Sequence, residues 1–172
     1  MEYWPLSKLF VDEIQPKTTG GIITFNPNRP AWSCYLENAQ DGQNFTTARA
    51  LPFNTKEFDI GNNLSVDTTN GGVFTAPVSG IYQFNILAAF NSTTTAGYIS
   101  IKMYVDNAPV HGNTSLSYRY LEDPQGGEYT SGTLSSIIQI TSGQTLTPYI
   151  RSNVDTSVNI RKGCRFNGFL VG

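Results

Sequence analysis

The feature that most constrains the fold of this chain is a period-two alternation of apolar and polar residues that recurs along its length. In the run Tyr98–Asp106 the apolar residues occupy alternate positions: Ile99, Ile101, Met103 and Val105. Successive side chains of a strand point to opposite faces of a sheet, whereas one face of a helix requires apolar residues three and four apart. Gly, Asn, Pro and Thr break the runs about every 8 to 12 residues, which is typical of a β-sandwich or β-barrel. The pattern therefore predicts an all-β domain.

Four further runs fit the same prediction. Gly80–Phe90 carries one long apolar face, although Leu87 makes its other face only partly polar. Thr133–Ile140 and Gln144–Arg151 alternate again, and Cys164–Val171 closes the chain. The residues expected to point inward from the first three of these runs are Tyr82, Phe84, Ile86, Ala88, Phe90, Leu134, Ile138, Ile140, Leu146 and Ile150.

Composition excludes several classes of function. The 172 residues suffice for one domain with a short extension, and the net charge is -2 without any basic patch. Because counterion release needs clustered Lys and Arg, we expect no nucleic-acid partner. No run of about 20 apolar residues is present, so we expect no membrane insertion. Charged residues make up only 14%, so the polar surface consists mainly of Ser, Thr, Asn, Gln and Gly.

Residues 1–30 lack the long alternating runs of the remaining sequence. The sequence from Val11 to Phe25 is a short β-like unit around Gly20-Gly21, and Asn26–Pro30 is typical of a rigid linker. The first eleven residues lack the apolar region of a signal peptide, so we expect either a removed signal, or export by lysis or as part of a larger particle. We interpret 1–30 as a neck or shaft remnant with a linker, and 31–172 as one head domain.

The chain has two cysteines, Cys34 and Cys164. Two are too few for a disulfide scaffold. They can pair if the first and last strands are neighbours, and otherwise they are two small buried hydrophobic residues. No Cys/His cluster has the spacing of a metal site, so we expect no metal cofactor.

Catalytic motifs are sparse, and we expect a non-enzymatic protein. His111 is the single histidine, and the G-x-S-x-G, P-loop and H-E-x-x-H motifs are absent. Glu57 and Asp59 lie two apart and would share a face of one strand. Paired carboxylates can support acid–base chemistry or bind calcium, but a structural role for Asp59 is the simpler interpretation.

The stretch Leu121–Ser131 is the longest loop-like segment, with Pro124, two glycines and three acids. Its Glu122, Asp123 and Glu128 form either a solvated acidic loop or a calcium site. Tyr118-Arg119-Tyr120, just before it, can stack on a sugar, contact a neighbouring subunit or pack in the core. We expect ligand contacts from this region: Tyr118, Arg119, Tyr120, Glu122, Asp123 and Tyr129.

Separated motifs resemble a known family. Phe53, Asp59 and Leu64 are spaced as F-x5-D-x4-L, and Phe74, Gly80, Tyr82 and Phe84 as F-x5-G-x-Y-x-F. The opening Ala31–Leu36 and the closing Phe166-Asn167-Gly168-Phe169-Leu170 are similar to the family's first and last strands. Together these elements resemble the C1q domain. The longer gap from Leu64 to Phe74 and Ile86 in place of an aromatic residue are departures.

The resemblance implies a ten-stranded jelly-roll sandwich of two sheets, close to the tumour-necrosis-factor fold, assembled as a homotrimer. It implies that the first and last strands lie side by side, which makes a Cys34–Cys164 contact plausible. It also implies that Gly80 turns the chain into a central strand and that Tyr82 and Phe84 enter the core.

The neck adds a second resemblance. Asp12–Phe25 is similar to the shaft units that precede receptor-binding heads in phage tail fibres and bacterial adhesive fibres. We therefore expect an extracellular trimeric fibre tip, on a virion or cell-surface fibre, that recognises a glycan or protein receptor on a host or prey cell. The alternatives are a structural trimerisation head without its own ligand, a secreted C1q/TNF-like protein ligand, and a glycan-cleaving tip.

Overall fold

The alternating runs form two packed antiparallel sheets in the computed structural model of this chain. The structure describes residues 29–92, 98–109, 118–122, 129–153 and 157–171. Sheet 1 contains seven strands: β1 (Ala31–Tyr35), β2 (Gln40–Gln43), β4 (Thr55–Ile60), β7 (Gly80–Ser92), β11 (Tyr129–Ile140), β13 (Val158–Ile160) and β14 (Arg165–Leu170). Sheet 2 contains the other seven: β3 (Arg49–Ala50), β5 (Leu64–Asp67), β6 (Gly71–Thr75), β8 (Tyr98–Val105), β9 (Ala108–Pro109), β10 (Tyr118–Glu122) and β12 (Thr145–Ser152).

The described residues thus contain fourteen strand segments where ten strands are expected. Five of these segments are only two to four residues long. The all-β jelly-roll prediction is confirmed, and the extra segments arise where turns interrupt a strand path. For example, β13 and β14 are separated by a turn but pair with successive parts of β7.

β7 organises sheet 1. Its residues pair with β11 along nearly the whole strand, so its other edge is left for β14 and β13. The five residues predicted to point inward from β7 are fully buried: Tyr82, Phe84, Ile86, Ala88 and Phe90. Gly80 begins this strand without the left-handed backbone that a sharp glycine turn would use.

The core is built around an aromatic contact between the two sheets. Trp32 of β1 stacks on Phe74 of β6, with ring centroids 3.6 Å apart and planes 11° from parallel. Gly168 lies opposite Trp32 in the register, and a Cβ there would come within 2.5 Å of the indole ring. The glycine of the closing strand is therefore required because the tryptophan occupies its side-chain space.

The other signature residues surround this contact. Tyr82 and Phe166 lie beside the indole ring, and the Tyr82 hydroxyl donates to the Val78 carbonyl at 2.8 Å. The buried signature residues are Phe53, Leu64, Phe74, Tyr82, Phe84 and Phe166. The spacing that resembles the C1q pattern therefore marks core positions of both sheets.

The first and last strands are neighbours, as expected, yet the two cysteines are free and buried. Cys34 lies opposite Phe166, while the Leu36 amide donates to the Cys164 carbonyl at 3.0 Å. The cysteines are thus diagonal neighbours, about 7–8 Å apart in an antiparallel pair, beyond the usual Cα separation of a disulfide. Burial raises the pKa of Cys34 to about 12, so this thiol packs as a small hydrophobic group.

Two expectations are not tested by this fold. The neck at residues 1–28 lies outside the described residues, so the boundary at residue 30 stays a prediction. The expectation that the chain does not insert into a membrane also stays a prediction. In the part of the chain that the structure describes, no helix has the length and apolar character needed to cross a membrane.

The Trp32–Phe74 contact gives a stability prediction. Among the described residues the buried Trp32 indole N–H has no hydrogen-bond partner, so replacement by Phe loses only packing. We expect Trp32→Ala to cost about 3–5 kcal/mol of unfolding free energy, and Trp32→Phe much less. Urea unfolding followed by far-UV circular dichroism, at one protein concentration, measures both. Tyr82→Phe is the matched control, because it removes a hydroxyl that does have a partner. Equal losses for the Phe and Ala variants of Trp32 would contradict the account.

Candidate functional site

Exposed large hydrophobic side chains concentrate on the outer face of sheet 1. Eight are found among the described residues, and six belong to strands of that sheet. The six are Phe58, Ile60, Ile81, Leu87, Ile137 and Phe169. Val171 directly follows β14, and Val78 precedes β7. Among the sheet 2 residues whose side-chain burial is described, no strand residue is an exposed large hydrophobic.

The strand register places three of these side chains, Ile60, Phe169 and Ile137, in one row with Ala31 and the polar Gln83. Ile60 pairs with Ala31, Ala31 with Phe169, Phe169 with Gln83, and Gln83 with Ile137. Directly paired residues of antiparallel strands share a face, so the five form one row across five strands. We call Ile60, Ala31, Phe169, Gln83 and Ile137 the apolar row.

A second row, one step along the strands, is polar. It runs through Ser33, Asn167, Asn85 and Ser135. Asn85 Nδ2 donates to Asn167 Oδ1 at 3.1 Å, and Ser135 Oγ donates to Asn85 Oδ1 at 2.6 Å. These bonds between β11, β7 and β14 hold the face in one register. We call these four residues the polar row.

Glu57 closes the polar row at its β4 end. Ser33 Oγ donates to Glu57 Oε2 at 2.8 Å, and the Arg165 guanidinium forms an ion pair with the same carboxylate. The hydrogen bond from the Ser33 hydroxyl, which contributes most, and the one from Arg165 lower the pKa of Glu57 below its ordinary value. The guanidinium also lies 5.7 Å from the centre of the Tyr35 ring.

The prediction that Glu57 and Asp59 share a face is wrong. The register of β1 with β4 shifts between Ser33 and Cys34, which pair with Phe58 and Lys56 and leave Glu57 as the extra residue of a β-bulge. Because a bulge reverses the alternation, Glu57 reaches the outer face whereas Asp59 lies opposite the inward-facing Trp32. The two carboxylates therefore do not form a paired acid–base site.

Asp59 organises the turn between β4 and β5. Its Oδ1 accepts the Asn63 amide at 2.8 Å, and its Oδ2 accepts the Leu64 amide at 3.0 Å. Lys56 Nζ lies 3.0 Å from Oδ2. The carboxylate of the signature position thus satisfies backbone groups that lead into sheet 2, and it is largely buried.

A depression of about 400 Å³ lies between the two rows at the β1–β4 side of the outer face. Phe58 and Phe169 form apolar walls, while Glu57, Arg165 and Asn167 supply polar groups. On the opposite side, Ile137 projects from β11 with 59% of its surface exposed. The face therefore carries a concave region at one side and a protruding side chain at the other.

The residues predicted for ligand binding are not gathered in one loop. Tyr118–Glu122 form β10, which pairs with β8 of sheet 2, and Tyr129 begins β11 of sheet 1. The loop expected at Leu121–Ser131 is thus shortened by strand at both ends. Asp123, Glu128 and His111 lie outside the described residues. The binding role of Tyr118, Arg119, Tyr120, Glu122, Asp123 and Tyr129, and calcium at the acidic segment, stay predictions.

Solved structures provide the comparison. The globular domain of zebrafish complement 1qA superimposes with a TM-score of 0.56 at 18% identity, covering 84% of this chain and 98% of that one. The fold is the C1q/TNF-type jelly roll. Two crystal structures of murine APRIL agree, with TM-scores of 0.52 and 0.54 at 12% and 13% identity, each covering 83% of this chain and 99% of APRIL. No protein-family model matches the sequence, and a search of curated proteins finds no match.

Within this C1q/TNF-type fold, sequence reasoning missed the apolar row. The signal was present, because alternation that turns Ile138 inward must turn Ile137 outward. Phe169 is likewise next to the inward Gly168. The row itself depends on the register of five strands distant in sequence, which alternation within one strand cannot supply.

Substitution of Asp59 and of Glu57 should differ in its effect on stability. We expect Asp59→Ala to cost about 1–3 kcal/mol of unfolding free energy, because two backbone amides lose their acceptor. Glu57→Ala should cost less, since that carboxylate is exposed. Urea unfolding measures both variants with and without added calcium. A calcium-dependent stability that both substitutions abolish would contradict the structural role.

The Glu57 ion pair predicts a pH-dependent contribution to stability. A carboxylate whose folded pKa is lowered stabilises the fold above its ordinary pKa, and the contribution is lost as the pH falls through the folded value. The melting temperature of Glu57→Gln should therefore lie below that of the unchanged chain at pH 7 and approach it below about pH 4.5. Glu37→Gln, on an exposed loop, makes the same charge change as a control. A constant difference from pH 3 to pH 7 would exclude this role.

Proposed function

We propose that this chain is a non-enzymatic, extracellular recognition head that works as a homotrimer. The observation that carries the proposal is the outer face of sheet 1, which bears six exposed large hydrophobic side chains, three of them in the apolar row that crosses five strands. Large contiguous apolar patches on soluble proteins mark interaction sites. We assign this surface to contact with further copies of the chain.

The shape of the outer face favours a closed ring. The depression beside Phe58 and Phe169 and the protruding Ile137 lie at opposite sides of the same sheet. A contact that joins unlike surfaces is heterologous, and it closes into a ring when the rotation permits. The C1q resemblance implies three copies, so Ile137 of one copy would enter the depression of the next.

The recognition role follows from what this assembly leaves exposed. Sheet 2 packs on the inner side of sheet 1, so its outer face points away from the proposed contact. Three copies held at fixed spacing raise the avidity of a weak site without adding contacts to any single site. The finer proposal is a fibre tip that recognises a cell-surface glycan, supported by the low charge and the resemblance of the neck.

The proposed assembly predicts the effect of one charge. Ile137→Asp should convert a trimer into a folded monomer at low micromolar concentration, because the exposed side chain is dispensable within one chain but would bury a carboxylate in the contact. Size-exclusion chromatography with light scattering measures the mass in units of the 18.9 kDa chain. Thr75→Asp, at an exposed position of β6, introduces the same charge on sheet 2 as a control.

Cell binding separates recognition from a purely structural head. Binding of the fluorescent chain to a panel of bacterial and eukaryotic cells should be strong for the trimer and 100-fold or more weaker for the monomeric variant, in the range of avidity gains of about 10²–10⁴. A trimer that binds no cell or protein supports the structural alternative. An Ile137→Asp variant that stays trimeric contradicts the assigned contact.

A further inference from the structure

Sheet 2 carries a groove of about 450 Å³ on its outer face. Its floor is β12, and its walls come from β3, the β5–β6 turn and the β8–β9 turn. Ala50 and Val73 supply small apolar contacts, and Thr69 and Asn107 supply polar ones. The groove opens on the side of the domain opposite the apolar row, so the proposed assembly leaves it accessible.

The floor and the β3 wall carry hydrogen-bonding side chains that have no protein partner among the described residues. Thr147 points to the outer face of β12 but is only 5% exposed, because it lies at the bottom of the groove. Neither its hydroxyl nor the guanidinium of the neighbouring Arg49 has a hydrogen-bond partner among the described residues. Since recessed polar groups without protein partners bond to water or ligand, they mark positions for incoming hydroxyl groups.

The floor of the groove includes a fixed aromatic ring. Tyr149 lines the groove and stacks on Tyr104 of the adjacent strand, with centroids 4.0 Å apart and planes 17° from parallel. A ring held in this way offers apolar contact area at little cost in side-chain entropy.

Two carboxylates hold the rim. Asp67 accepts the amides of Thr69 and Asn70 at 2.7 and 2.6 Å, and Asp106 accepts the Thr145 amide at 2.8 Å. The pKa of Asp67 is lowered chiefly by the hydrogen bond from the Asn70 backbone amide. The pKa of Asp106 is lowered chiefly by the hydrogen bond from the Thr145 backbone amide, so both carboxylates stay ionised. The rim turns are thereby fixed, and preorganised sites lose less entropy on binding.

We propose that this groove binds an uncharged, hydroxyl-rich carbohydrate of one or two sugar rings. This inference rests on the proposed recognition function and names its ligand class and site. Hydroxyl, amide and guanidinium groups match sugar hydroxyls, and Tyr149 with the small apolar residues matches the C–H faces of a ring. Two ionised carboxylates at the rim offset the single Arg49 charge, so the groove does not select an acidic sugar.

The test uses the unchanged chain on an array of immobilised neutral and acidic oligosaccharides, followed by saturation-transfer NMR with free lactose, maltose, cellobiose and sialyllactose. We expect a neutral sugar to bind. Thr147→Val should weaken it roughly three- to tenfold, the loss of one hydrogen bond. Thr141→Val, the same substitution at an exposed turn position after β11, should leave affinity unchanged. Arg49→Gln, at an exposed residue, provides a second groove variant that does not endanger folding.

The outcomes separate this inference from the proposed function. If a neutral sugar binds the Thr147→Val and Arg49→Gln variants with the same affinity as the unchanged chain, the groove is not its binding site. Binding of acidic sugars alone overturns the ligand class. If the trimer binds cells but no sugar, the inference about the groove is wrong and the proposed recognition function stands. If the chain is a monomer that binds neither cells nor sugars, both the inference and the proposed function are wrong.

Discussion

The contact of Trp32 with Phe74 is the interaction on which the remaining architecture depends. It joins β1 of sheet 1 to β6 of sheet 2, and it requires a glycine at position 168 in the closing strand. Aromatic rings bury large areas, and stacking adds specific geometry to that burial. With Trp32 fixed inward, the alternation of β1 fixes which of its residues face outward.

The outer face of sheet 1 follows from this constraint. Since Trp32 and Cys34 point into the core, Ala31 and Ser33 must occupy the opposite side. Pairing with β14 and β4 then places Phe169 and Ile60 beside Ala31, and Asn167 beside Ser33. The same register therefore produces the apolar row, to which we assign the proposed association, and a hydrogen-bonded polar row beside it.

Alternation within the sequence predicts the inward residues of β7, β8, β11 and β12, although core residues such as Phe45 and Val158 lie outside those runs. Tyr82, Phe84 and Phe166 are buried as their pattern and the C1q resemblance indicate. What alternation could not supply is the relation between strands. The β-bulge at Glu57 reverses the direction of that side chain, because one extra residue changes which positions face outward.

The strand register also explains why the two cysteines do not form a disulfide. Neighbouring first and last strands were expected, but an offset of two residues keeps Cys34 and Cys164 apart as free thiols. The groove of sheet 2 could not be predicted from the sequence for a similar reason. Its lining comes from Arg49, Val73, Asn107 and Thr147, which are distant in sequence and share no motif. Predicted contact residues instead belong to β10 and β11, where binding stays a prediction.

Association through the outer face of sheet 1 is the central claim, because it determines both the exposure of sheet 2 and the number of recognition sites. Sedimentation equilibrium of the unchanged chain, from low micromolar to tens of micromolar, tests it most directly. The account predicts one species at three times the 18.9 kDa chain mass across the range. A single-chain mass at every concentration would contradict it.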